Sequence, residues 1–73
     1  MKWTCEIIDH GNIYKANLSI DGKTVDGLPE YVSYHALKRA IRERTGIKLT
    51  DRQDLQFEQR ELARYAYCNG EIF

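Results

Sequence analysis

A helix whose two ends are both written into the chain does most to limit what these residues can build. Ser33 is a good N-cap, because its hydroxyl can accept from the free amides of a first helical turn. Val32 before it and Leu37 inside it have the spacing of a hydrophobic staple. Gly46 supplies the left-handed residue that commonly closes a helix. A helix is therefore expected over 33–45. Tyr34, Leu37, Ala40 and Ile41 recur at three- and four-residue spacings and share one face. His35, Lys38, Arg39 and Arg42 share roughly the opposite face, and the positive charge toward the C-terminus suits the helix dipole. Arg44 falls on the apolar side, where its stem can pack while its head reaches water. A helix with one apolar face has to cover another layer.

That layer is legible upstream. Over 2–8, Trp3, Cys5 and Ile7 alternate with Lys2, Thr4 and Glu6, the period of a half-buried strand. Asp9-His10-Gly11-Asn12 reads as a turn. Over 13–20, Tyr14, Ala16, Leu18 and Ile20 alternate with Lys15, Asn17 and Ser19. Asp21-Gly22 is a strong two-residue hairpin signal, leading into a short strand over 23–25. Pro29 keeps Leu28 out of helix and marks a connector. The expected fold is α+β: a three-stranded antiparallel meander packed by the central helix.

After Gly46 the reading divides. Thr50-Asp51-Arg52-Gln53 matches a capping box, and helix formers dominate from Asp51 onward, so a C-terminal helix over 51–68 is expected, ending at Asn69-Gly70. The competing reading is a β-hairpin over 55–59 and 62–68, with Asn69-Gly70 turning into 71–73. It rests on the alternation of Leu55 with Phe57 and of Tyr65 with Tyr67. The helix is the preferred reading.

Seventy-three residues make one domain with one small core, marginal enough for a partner or a second copy to matter. The formal net charge is zero, yet it is unevenly spread. Residues 31–52 hold six basic and two acidic groups, whereas the stretches on either side are each net acidic. A dedicated non-specific nucleic-acid binder would be basic overall. No apolar run nears the roughly 20 residues that span a bilayer, and MKWTCEIIDHG has no signal-like apolar core. A cytoplasmic location without membrane contact is expected.

Several motifs dissolve on inspection. Asp21-Gly22-Lys23-Thr24 contains GKT, but a phosphate loop needs glycine where Asn17 stands, and a helix afterwards. Cys5, His10, His35 and Cys68 lack the close spacings of structural zinc sites. No metal or other cofactor is expected. Cys5 and Cys68 are too few for a disulfide framework and read as buried or idle thiols, able to meet if the terminal elements pack together. Asp9, His10, His35, Ser19, Ser33 and Cys5 offer no recognisable nucleophile and oriented base, so catalysis is not expected.

The residues that remain for function are the basic set His35, Lys38, Arg39, Arg42, Lys48 and Arg52, with Tyr31 as an aromatic anchor. Tyr65, Tyr67 and Phe73 form a second aromatic group, read mainly as core. The strand, the Asp21-Gly22-Lys23 turn, the short strand and the helix with Ala36 and Ala40 resemble the second half of double-stranded-RNA-binding domains. That family has a basic cluster where this helix begins with Tyr34-His35, and a helix where this chain has its first strand. The resemblance is not adopted. The expected function is a non-enzymatic binding module, an inhibitor or adaptor of the kind phages and mobile elements encode, whose basic helix face meets an acidic protein. Nucleic-acid binding through the same face is the alternative, and a homodimer subunit is a third reading.

Overall fold

The computed structural model describes residues 1–72 of the chain. Strand β1 (Lys2–Asp9) pairs antiparallel with β2 (Tyr14–Ile20), and β3 (Lys23–Thr24) adds a short edge. The helix α1 (Tyr34–Thr45) follows, then a single 3-10 turn (Arg52–Asp54), then β4 (Glu58–Arg60) and β5 (Ala63–Glu71). The sheet has five strands in the order β3-β2-β1-β5-β4. This corrects the expected three-stranded meander with two helices: β1 is the central strand, and there is no helix over 51–68.

The first half follows the sequence signals closely. Asp21 and Gly22 both take positive φ, 51° and 81°, as the twist-matched two-residue hairpin requires. Asp21 also ties down the chain's start, its Oδ1 accepting from the Lys2 N–H at 2.9 Å. Ser33 Oγ caps α1 by accepting from Ala36 N at 3.2 Å, and Gly46 closes it at φ 79° with its N–H on the Arg42 carbonyl. The Val32 staple does not form, since Val32 is 82% exposed while Leu37 is fully buried. Arg44 is not a packed stem either: its guanidinium donates to the Gly27 and Asp26 carbonyls at 2.8 and 2.9 Å, clipping that loop to the helix.

The core lies between α1 and one face of the sheet. Tyr34, Leu37 and Ile41 meet Trp3, Cys5, Ile7 and Leu18, each fully buried large side chain contributing about 1.5–3 kcal/mol. Ile47 and Leu49, in the extended stretch after α1, cover the part of the sheet that the helix does not reach. Tyr34 Oη donates to the Thr50 carbonyl at 2.6 Å, fastening that stretch alongside.

The physical reason for the missing helix is the second edge of β1. Eight β1 residues find partners in β5, from Lys2 with Glu71 to Asp9 with Arg64, satisfying backbone groups that a helix over 51–68 would leave orphaned at the centre of the fold. Asp51 caps nothing with its side chain. Asn69 and Gly70 form neither a helix cap nor a turn but lie inside β5. The strand alternative named the right class with the wrong bounds, and its continuation into Phe73 falls outside the described residues. Leu62 is the sharpest discriminator: a helix would turn it to the core, whereas it stands 94% exposed beside Glu61 in the β4–β5 turn. Leu62→Ser is therefore expected to change stability by less than about 0.5 kcal/mol, measurable by urea unfolding.

Among the described residues no helix is long and apolar enough to cross a membrane.

Candidate functional site

The outer face of α1 presents the cations as its periodicity dictates. His35, Lys38, Arg39 and Arg42 from the helix and Lys48 from the following stretch line one concavity of about 200 Å³. Lys48 arrives there because Ile47 and Leu49 on either side turn into the core, which forces the residue between them outward. Five of the seven predicted positions thus converge from two segments.

Two of the five are already engaged. Lys38 Nζ contacts Asp51 Oδ1, and this ammonium holds the exposed Asp51 carboxyl below its usual range, with weaker help from Lys48. Arg39 Nε lies 3.3 Å from Glu43 Oε1, one helical turn on. Among the described residues Arg42, Lys48 and His35 enter no ion pair. Of these partners only Glu43 was readable, from its i,i+4 spacing to Arg39. Asp51 is thirteen residues from Lys38, and no local pattern reports such a contact.

The Lys38–Asp51 pair carries a pH signature. A carboxyl whose folded-state pKa is depressed stabilises the fold above its unfolded value of about 3.9, and that contribution disappears as pH falls through the lower, folded value. In a carbon-detected NMR titration Asp51 is expected to titrate below ordinary aspartates. Lys38→Met, which keeps the aliphatic stem, is expected to return it to the ordinary range.

The other two predicted positions stand outside that concavity. Arg52 borders a neighbouring one with His35 and Lys38, but its guanidinium is turned to other partners: its Nε donates to Tyr14 Oη at 3.0 Å, its Nη2 lies 3.5 Å from Asp9 Oδ2, and it sits 4.8 Å from the Phe57 ring centre. Asp9 is the one buried charged residue among those described, and its other oxygen accepts from Gly11 N at 2.7 Å. Arg52 thus serves as counter-charge to a buried carboxylate. Tyr31 is half-buried and exchanges both backbone hydrogen bonds with Tyr14, at 2.7 and 3.0 Å, closing part of the β2 edge. Its ring packs against the core instead of standing out as an anchor.

The second aromatic group divides between environments. Tyr65 is half-buried under Arg60, while Tyr67 is 58% exposed on the uncovered face of the sheet and donates to Glu6 Oε2 at 2.7 Å. Neither belongs to the core between sheet and helix. Cys5 and Cys68 stand directly opposite one another on β1 and β5, both as free thiols. Contact with Cys5, aided by the N–H and hydroxyl of Thr50 and opposed by burial, brings the Cys68 thiol down to about 7. Contact with Cys68 and burial push Cys5 up. Among the described residues no three His, Cys, Asp or Glu side chains gather to hold a metal ion. His10 is exposed in the turn after β1, and His35 on the outer helix face.

No protein-family model, curated protein or solved structure matches the chain.

Proposed function

We propose that this domain is a non-enzymatic binding module that sets the outer face of α1, completed by Lys48, against a carboxylate-rich surface of a partner protein, as a small inhibitor or adaptor does. The observation that carries the reading is the convergence of Lys38, Arg39, Arg42 and Lys48, with His35 beside them, from two segments around one concavity, on a chain of zero net charge, with Arg42 and Lys48 in no ion pair among the described residues. Arginine suits this use, because its planar fork matches a carboxylate with two parallel hydrogen bonds.

Glu43 and Asp51 favour a protein over a nucleic acid. They sit among the cations, where they meet a mixed protein surface without difficulty but repel a continuous run of phosphates. Gel retardation separates the two. Duplex DNA and single-stranded RNA probes are expected to show no retardation beyond a weak, salt-labile shift at low ionic strength. Retardation that persists at physiological salt and is lost in Arg39→Ala/Arg42→Ala would replace the protein partner with nucleic acid.

A further inference from the structure

Among the described residues, the outer edge of the last strand has no strand beside it beyond Tyr65. Met1 and Ile72 exchange both backbone bonds, at 3.0 and 2.7 Å, and the same register pairs Trp3 with Gly70 and Cys5 with Cys68. Bonded and non-bonded pairs alternate along an antiparallel ladder, so Ile72, Gly70 and Cys68 turn their N–H and C=O groups toward β1. Tyr67, Asn69 and Glu71 therefore turn theirs away from it. β4 reaches only residues 63–65, and among the described residues no hydrogen bond is made to the N–H or C=O of those three. Beside this open edge lies a groove of about 730 Å³ between β5 and the stretch 46–54. Trp3 and Leu49 give it an apolar lining, and Asp54 and Glu71, with Asp51 already paired to Lys38, outnumber Lys48 around it.

We infer that this edge receives an extended basic segment of a partner protein, which continues the line of β4 along β5 as an added strand. The three outward residues offer three donors and three acceptors in strand register, a template that any peptide backbone can satisfy. Alternate side chains of the added strand then enter the groove, where carboxylates select lysine or arginine. A second copy of this chain is the poorer occupant. Two-fold pairing of β5 with β5 brings Asp51, Asp54 and Glu71 of both copies to the same side of the joined sheet, a like-charge contact. This surface adjoins the outer face of α1, sharing Lys48 and the Lys38-bound Asp51 with it, and is opposite to it in charge preference.

The test is an NMR titration of the isotope-labelled chain with two end-capped peptides, Lys-Val-Lys-Val-Lys and Glu-Val-Glu-Val-Glu. The basic peptide is expected to shift the amides of Tyr67, Asn69 and Glu71 and slow their hydrogen exchange, while the acidic one binds at least about tenfold more weakly. Asp54→Lys/Glu71→Lys is expected to invert that preference. Asn69→Pro removes one outward N–H at an edge position where proline is tolerated, and is expected to weaken the basic peptide. Arg39→Glu/Arg42→Glu is expected to leave it unchanged. Equal affinity for both peptides, shifts confined to other strands, or concentration-dependent protection of the three amides without peptide would each overturn the inference.

Discussion

Leu37→Ala is expected to lower the thermal midpoint by roughly 12–24 °C. Leu37 is fully buried at the centre of the face that α1 turns to the sheet, between Tyr34 and Ile41. Truncating such a side chain removes its transfer free energy and leaves a cavity, about 3 kcal/mol together. A chain of 73 residues has roughly 4–11 kcal/mol of total stability to lose, and each kcal/mol moves the midpoint of so small a domain by about 4–8 °C. Among the described residues α1 is the only helix on that face of the sheet, and Ile47 and Leu49 beside it are already fully packed, so nothing is left to fill the space. Leu37→Met conserves volume and is expected to cost less than about 1.5 kcal/mol. Thermal unfolding followed by circular dichroism reads both. A shift of only a few degrees for Leu37→Ala would mean that α1 does not close the core.

Gly70→Val is the second large effect, and it examines the strand that the sequence conceals. A Cβ built at Gly70 falls 2.8 Å from Trp3 Cζ2 and 2.9 Å from Cε2 and Nε1. The indole is 6% exposed and packed in the core cluster, so moving it aside costs packing. Valine is otherwise welcome in a strand, which makes the cost steric: about 1–3 kcal/mol from overpacking, with a midpoint lower by roughly 4–24 °C. The double variant Trp3→Leu/Gly70→Val is expected to be less destabilised than the sum of its parts, because the smaller side chain vacates the space. Strict additivity would show that residues 3 and 70 do not touch.

The two halves of the chain differ in how openly they state their structure, for identifiable reasons. β1, β2, the Asp21-Gly22 turn and α1 each carry a local signal that agrees with the tertiary outcome: period-two alternation, a turn pair able to take positive φ, and two caps. β5 carries its alternation inverted. Its inner positions Ala66, Cys68 and Gly70 are small because Trp3, Ile47 and Leu49 already fill the space above them, while the large Tyr65 and Tyr67 face outward. Helix-forming composition then dominates any local reading. The β4–β5 turn uses Glu61 at φ 53°, a position usually given to glycine or asparagine, so no punctuation marks it. Pairing with β1 overrides both local preferences.

The candidate surface divides along the same line. His35, Lys38, Arg39 and Arg42 on the outer face of α1 follow from its period, and Lys48 from the alternation of Ile47 and Leu49. Arg52 was drawn into that set by charge alone, and only the fold brings it to the buried carboxylate of Asp9, forty-three residues away in the chain. Charge can be counted in a sequence, but whether a cation is free or already neutralised depends on contacts that span the fold.

The measurement that bears most directly on the binding surface is capture of partners from a native lysate by the wild-type chain and by Arg39→Glu/Arg42→Glu/Lys48→Glu, each before and after nuclease treatment. Circular dichroism is expected to place the thermal midpoints of the two proteins within a few degrees, since the three side chains are exposed. The expected result is a protein retained by the wild type, lost by the charge-reversed variant, and indifferent to nuclease. Retention of the same proteins by both, or disappearance of all retention after nuclease, would contradict the assignment of the outer face of α1 to an acidic protein partner.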